Sequence, residues 1–134
     1  SSGLSALKAL KKDSRNIKIV GVTTLTSLNN KDLKEIGYNK KVNELVKHQA
    51  KLATKAKLDA IVCSGHEIRS VKRVFGKEII TPGIKMQNVK NDQKRIMGPA
   101  DAFYAGSDWL VIGRSITKGN IKKNIKNLLE ILED

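Results

Sequence analysis

Two short segments near the end of the chain carry residues suited to binding an anion. Residues 81–85 read Thr-Pro-Gly-Ile-Lys, and residues 111–114 read Val-Ile-Gly-Arg. The backbone at Gly113 allows a ligand oxygen to approach closely, and its amide can donate a hydrogen bond. The guanidinium of Arg114 is a planar fork that matches a phosphate bidentately. Because each segment follows an apolar, strand-like run, we predict a phosphate site at one edge of a sheet, with a turn glycine and a surface arginine as the alternative interpretation of Gly113 and Arg114.

Two further polar segments accompany these residues. The connection 84–98, which contains Gln93, is long for a loop between a strand and a helix, and such excess length is often functional. We interpret it as a candidate lid over a ligand, with a flexible basic loop as the alternative. Residues 23–27 include three threonines and a serine, whose hydroxyls could contact a polar ring or satisfy a turn.

The same strand ends lack the groups needed for most chemistry. They carry no pair of carboxylates, and their only histidine is His66. Cys63 lies in an apolar run without a recognisable His or Asp partner, so we expect a buried structural thiol rather than a nucleophile. No His, Cys and carboxylate residues have metal-ligand spacing. We therefore predict no catalytic residue, metal or cofactor in this chain.

Composition limits the class of protein. With 134 residues and 40% hydrophobic residues, the chain is predicted to fold as a single domain over 1–134. The net charge of +13 would attract nucleic acid, but the lysines are spread along the chain and no aromatic residues interleave with them, so nucleic acid is an unlikely partner. No apolar run is long enough to span a bilayer, we recognise no secretory leader, and a lone cysteine is typical of the cytoplasm.

Strand-like and helix-like runs alternate along the sequence, which predicts an α/β fold with a parallel sheet. A doubly wound sheet and half of an eight-stranded barrel both fit this pattern, and no sequence repeat decides between them. We expect one of the helices, near residues 68–75, to end with Gly76 as its C′ residue. The predicted strands cover 17–22, 59–63, 78–81 and 109–112, and the other helices cover 4–12, 41–56, 99–106 and 120–133.

Four segments together resemble the bacterial orotidine 5′-phosphate decarboxylases. Residues 22–27 resemble that family's "VTVLTS" segment, and residues 62–67 resemble "VCSA.E". Residues 81–95 resemble "TPGIR…DQ.R", and residues 111–117 resemble "VVGRPIT". The order and spacing of these segments agree with the family over almost the whole chain.

The resemblance implies a (β/α)₈ barrel, of which this chain would supply the carboxyl-terminal half, strands five to eight. It implies a nucleoside monophosphate ligand, orotidine or uridine monophosphate, with its phosphate beside the last two strands. Thr26 would contact the nucleotide, and Gln93, Gly113 and Arg114 would hold the phosphate. Lys85 stands where the family usually has an arginine, so the charge is kept but the bidentate fork is lost.

The resemblance also indicates what the chain lacks. The family's alternating Lys and Asp residues, in a "D.K..DI" segment, have no match in these 134 residues. We therefore expect an inactive enzyme half, with a degenerate phosphate-binding remnant, or a basic nucleic-acid-associated protein, as alternatives. Four barrel strands would leave two open edges and an uncovered apolar face. We predict that the chain forms a homo-oligomer, pairs with the missing half, or aggregates.

Overall fold

The computed structural model describes residues 3–24, 28–86 and 97–133 of the chain. Four strands and seven α-helices alternate within these residues, with one short 3₁₀ helix before α4. None of the helices described is long and apolar enough to cross a membrane. The strands are β1 (Val20–Val22), β2 (Ala60–Val62), β3 (Glu78–Pro82) and β4 (Trp109–Val111). The helices are α1 (Leu4–Asp13), α2 (Asn30–Glu35), α3 (Val42–Lys55), the 3₁₀ helix (Gly65–Glu67), α4 (Ile68–Lys72), α5 (Pro99–Ala105), α6 (Arg114–Thr117) and α7 (Ile121–Glu133).

The four strands are parallel and lie side by side in chain order, β1-β2-β3-β4. A doubly wound sheet reverses its strand order at a switch point, whereas a barrel adds each new strand to the same side. The observed order therefore decides the question that the sequence left open: the sheet is wound in the manner of a barrel and contains half of a barrel's eight strands.

The helices cover only one face of this sheet. Ile61 and Ile79 lie on that face and pack into a core with apolar residues of α3, α4 and α5. None of the described helices covers the opposite face, called here the open face, and the apolar side chains at its two edges are about half exposed to solvent. The exposed members of this open face are Val20, Val22, Trp109 and Val111.

One polar arrangement occurs twice in the fold and defines an internal repeat. The Asp59 carboxylate accepts the backbone N–H of Ile19 at 2.7 Å and a hydrogen bond from Lys11 of α1 at 2.5 Å. The Asp108 carboxylate likewise accepts the N–H of Ile79 at 2.8 Å and a bond from Lys72 of α4 at 3.4 Å. Asp59 thus links the start of β2 to the start of β1 and to α1. Asp108 links the start of β4 to β3 and to α4 in the same way.

The register of the strands obeys the same repeat. Ala60, the residue after Asp59, pairs with Val20, the residue after Ile19. Trp109, the residue after Asp108, likewise pairs with Ile80, the residue after Ile79. The half-barrel therefore consists of two similar units, β1–β2 and β3–β4, joined at the β2–β3 seam.

The prediction that a helix ends at Gly76 was wrong. α4 spans only Ile68–Lys72. The amides of Val74 and Phe75 both donate to the carbonyl of Val71, which closes the turn before Gly76 is reached. Gly106 does end α5, since it adopts a left-handed conformation with φ of 110°.

The last helix, α7, has an apolar stripe that the structure leaves open. It packs against α5 and α6 on one side. The periodic apolar residues on its other side are between 38% and 53% exposed, although the spacing predicts a core-facing surface. These residues, called here the α7 stripe, are Ile121, Ile125, Leu129 and Leu132.

Candidate nucleotide-phosphate site

A cleft of about 410 Å³ lies at the carboxyl ends of β1, β2 and β3. Parallel strands direct their carboxyl ends to one edge, which is where ligands bind in α/β sheets and barrels. Polar side chains and backbone groups from three successive loops line it. Among the lining residues are Thr24, Asn29, Asn43, Ser64, Glu67 and Gly83.

The two threonines after β1 have different roles. Thr23 is buried, and its hydroxyl donates to the carbonyl of Val62 on the neighbouring strand. Thr24 lines the cleft, and the side-chain oxygen of Gln49 on α3 accepts bonds from both its backbone N–H at 2.8 Å and its hydroxyl at 3.1 Å. Helix α3 thereby fixes the point where the chain leaves β1.

A buried carboxyl group in the cleft was not singled out from the sequence. Glu67 is only 7% exposed, although it lies in the cleft wall. Burial raises the pKa of Glu67 above its usual value, and the neighbouring charge of His66 partly opposes this shift. The only sequence signal for Glu67 was its place in the segment 62–67, since its position in the wall depends on the turn after β2.

Cys63 is the buried structural thiol that the sequence predicted. It is 1% exposed within the core. Desolvation, and then the charge of Glu67, raise the pKa of its thiol to about 12. A thiol with such a pKa carries almost no thiolate at neutral pH, so Cys63 is not a nucleophile.

The phosphate-binding candidates of the last two strands lie at adjacent strand ends. Pro82 pairs with Val111 at the carboxyl ends of β3 and β4. Lys85 and Arg114 each follow three residues later, and both are exposed. Gly113 is exposed as well and immediately precedes α6. Two cations and a glycine backbone are thus available at one edge of the sheet.

Two predicted site residues, Thr26 and Gln93, lie outside the described residues. Most of the candidate lid, 84–98, does so too. Over the part of the chain that the structure describes, no three His, Cys, Asp or Glu side chains form a group that could hold a metal ion. The described arrangement offers hydrogen-bond donors and positive charge, which suit a phosphate-bearing ligand.

Comparison with known proteins identifies the family. The profile of the Orotidine 5'-phosphate decarboxylase / HUMPS family matches residues 1–126. The chain belongs to this family. An orotidine 5'-phosphate decarboxylase of Wolbachia pipientis is 42% identical over 123 residues, which cover 90% of this chain and 54% of that protein. This family member therefore spans about half the length of the curated relatives it matches.

Solved structures agree with this assignment at the level of the fold. The orotidine 5'-phosphate decarboxylase of Lactobacillus acidophilus superposes with a TM-score of 0.80 and 24% identity, covering 98% of this chain and 60% of that one. The orotidine 5'-monophosphate decarboxylase of Methanocaldococcus jannaschii was solved in complex with the inhibitor BMP. It superposes with a TM-score of 0.68 and 21% identity, covering 98% of this chain and 58% of that one. The family member described here is thus a partial barrel.

Proposed function

We propose that residues 1–134 form the carboxyl-terminal half-barrel of an orotidine 5′-phosphate decarboxylase and hold the phosphate of a nucleoside monophosphate. The observation that carries this proposal is the pairing of Pro82 with Val111. It brings Lys85 and the Gly113–Arg114 pair to the same edge, each from its own strand. In (β/α)₈ barrels, phosphate sites are frequently built from the loops after the last two strands.

Each group has a distinct role in the proposed phosphate grip. The Arg114 guanidinium donates two parallel hydrogen bonds to phosphate oxygens, and the amide of Gly113 donates a third. Lys85 adds a point charge from the neighbouring loop without a fixed fork. Gln93 would add a neutral donor, and Thr26 would contact the nucleoside, as the family resemblance implies.

The nucleoside portion of the ligand would extend from the phosphate grip toward the cleft. The cleft shares the Pro82–Gly83 turn with the loop that carries Lys85. Its polar wall can donate hydrogen bonds to a pyrimidine ring and a ribose and can accept hydrogen bonds from them. Orotidine monophosphate and uridine monophosphate each contain a pyrimidine ring and a ribose. These ligands would place the protein in pyrimidine biosynthesis and in the cytoplasm.

Turnover would require residues that this chain lacks. The decarboxylation breaks the bond between the pyrimidine ring and its carboxylate, releases CO₂, and needs a proton for the carbanionic ring carbon. In the family that proton comes from a lysine within an alternating Lys and Asp array, for which this sequence has no matching segment. The 134-residue chain should therefore bind nucleotide and leave it unchanged.

Calorimetric titration with uridine monophosphate tests the grip. Arg114→Ala removes the fork and should weaken binding at least tenfold, whereas Arg73→Ala, an exposed arginine next to α4, should leave the affinity unchanged. Equal affinity of wild type and Arg114→Ala would refute the proposed phosphate site.

A complementation assay tests the assignment as an enzyme half. The chain is mixed with the part of the Wolbachia relative that it does not match, which the proposal takes to be the amino-terminal half, and loss of orotidine monophosphate is followed. Activity in the mixture, absent from either part alone, supports the enzyme half. Nucleotide binding without activity at any ratio would instead favour a binding remnant.

A further inference from the structure

We propose that Met97 is a positioning residue for Lys85, since it ties the loop after β3 to the loop after β2 at the edge where the phosphate would bind. The inference deepens the proposed function and rests on it, because it requires Lys85 to contact the phosphate. Its basis is two contacts of Met97, one made by the side chain and one by the backbone. Neither contact involves β1 or β4, so neither depends on what lies beside the edge strands of the sheet.

The side chain of Met97 lies directly against the backbone of Gly65. A Cβ atom built at Gly65 would lie 2.7 Å from the Met97 sulfur, which is closer than such atoms approach each other in proteins. The thioether therefore occupies the space that any side chain at residue 65 would need. The family's "VCSA.E" segment has alanine at this position, so this chain lacks a methyl group where Met97 is seated.

The loop that carries Gly65 is a firm base for this contact. Cys63, two residues earlier, is 1% exposed and belongs to the core. The N–H of Glu67 donates to the carbonyl of Ser64 at 3.1 Å, which closes the turn around Gly65. The Met97 side chain thus packs on backbone that is held on both sides.

The backbone of Met97 reaches the loop after β3. Its carbonyl accepts a hydrogen bond from the N–H of Lys85 at 3.4 Å. Ile84, the residue before Lys85, is only 3% exposed and belongs to the core. The backbone of Lys85 is therefore held by a buried neighbour and by a hydrogen bond, while its side chain remains exposed at the proposed phosphate site.

A fixed backbone matters more for a lysine than for an arginine at a phosphate. The ammonium group is a point charge on a flexible stem, and it lacks the fork that orients a guanidinium on phosphate oxygens. The direction of the Lys85 side chain toward the edge shared with Arg114 must therefore come from the placement of its backbone. Fixing that placement before the ligand arrives lowers the ordering cost of binding. Met97 provides this preorganisation without touching the phosphate itself.

Amide hydrogen exchange in the nucleotide-free protein tests the contact itself. The Lys85 N–H should exchange slowly in wild type and faster in Met97→Ala, which removes the side chain that packs on Gly65. Val74→Ala is the matched control, since Val74 is also a partly buried residue packed against the core but lies beyond the end of α4. It should leave exchange at Lys85 unchanged. Equal exchange at Lys85 in all three proteins would refute the proposal.

Calorimetric titration with uridine monophosphate tests the link to binding. Met97→Ala should weaken binding several-fold, whereas Val74→Ala should not. The loss caused by Met97→Ala should vanish in the Lys85→Met background, because no ammonium group remains to be positioned, and it should persist in the Arg114→Ala background. An equal loss in the Lys85→Met background would overturn the positioning role, since Met97 would then act by another route.

Gly65→Ala tests the seat of the Met97 side chain. The added methyl group must displace the sulfur, so this variant should also weaken binding of uridine monophosphate. It should have little effect in the Met97→Ala background, where no long side chain is displaced. Equal effects in the two backgrounds would contradict the contact.

The same titrations separate this inference from the phosphate site on which it rests. If wild type binds uridine monophosphate and Arg114→Ala weakens that binding while Met97→Ala does not, the positioning role is refuted and the phosphate site stands. If wild type does not bind the nucleotide, both are refuted.

Discussion

The ammonium group of Lys11 lies 2.5 Å from a carboxylate oxygen of Asp59, and this contact ties α1 to the amino-terminal end of β2. The same carboxylate accepts the backbone N–H of Ile19, and Lys77 approaches its other oxygen at 3.7 Å. The bond from Lys11, followed by the bond from Ile19, lowers the pKa of Asp59 from 3.8 to about 2. The folded protein therefore favours the ionised form of Asp59.

Acid should weaken the fold through Asp59. Because the folded state lowers the pKa, the stability from ionised Asp59 is fully present above pH 3.8 and is lost as the pH falls through about 2. Asp59→Asn should be less stable than wild type at neutral pH and should show a smaller further loss across that interval. Denaturant unfolding followed by circular dichroism at several pH values measures both effects.

The control for this prediction is Glu35→Gln, which breaks the exposed Lys31–Glu35 pair at 3.8 Å on α2. Exposed pairs of this kind contribute little to stability, so its pH dependence should match that of wild type. If Asp59→Asn and wild type lost stability in parallel over the interval, the Asp59 contacts would not be responsible.

A buried hydroxyl pair joins β3 to the start of β4, and its two members should respond unequally to mutation. The hydroxyls of Thr81 and Ser107 lie 2.7 Å apart, and Ser107 is also 3.3 Å from the carbonyl of Ile79 and 3.0 Å from that of Trp109. Ser107→Ala leaves the fully buried Thr81 hydroxyl without this partner and should lower the free energy of unfolding by about 1–3 kcal/mol. Thr81→Val leaves Ser107 its carbonyl acceptors and should cost less.

The double variant Thr81→Val with Ser107→Ala completes the cycle. Removing both polar groups should destabilise the protein by less than the sum of the single changes. Chemical denaturation of wild type, the two single variants and the double variant gives the free energy of unfolding of each. If the losses of the two single variants added up to that of the double variant, the hydroxyl pair would not be an interacting pair.

Lys85→Arg should strengthen nucleotide binding if Lys85 contacts the phosphate. Arginine restores the bidentate fork at unchanged charge, and we expect a gain of several-fold in affinity for uridine monophosphate. Calorimetry on Lys85→Arg and on Lys51→Arg, an exposed position on α3, separates this local effect from any general effect of arginine. An affinity that rises equally in both variants would place Lys85 outside the site.

The Cys63 thiol should be unreactive in the folded protein. Its pKa of about 12 and its burial suppress the thiolate that reacts with disulfide reagents. Ellman's reagent should label the chain's single cysteine only on unfolding, whereas Lys51→Cys should add one rapidly labelled thiol to the native protein. Rapid labelling of native wild type would show that this part of the core opens readily.

The strands and long helices could be predicted because short-range patterns determine them. The apolar run at 60–62 is a strand, and the spacing of Leu45, Val46 and Ala53 places a buried face on α3 as expected. α2 was missed because its short length gives little periodicity, although Asn29 and Asp32 form a capping box that signals a helix start.

Long-range features could not be predicted in this way. The strand order, which separates a barrel from a doubly wound sheet, depends on pairings between distant residues. The bond from Ile19 to Asp59 spans 40 residues, and nothing local marks the aspartate as its acceptor. The same holds for Glu67, whose place in the cleft wall follows from the packing of three loops.

Trp109 gives the open face an intrinsic optical signal. It is the only tryptophan of the chain, and its indole is 58% exposed at the outer edge of β4. An indole in contact with water emits at longer wavelength than one enclosed by protein. Any molecule that covers this edge, whether a second copy or a complementary half-barrel, should shift the emission to the blue. The moment at which the barrel closes can therefore be timed in a stopped-flow fluorimeter without attaching a dye.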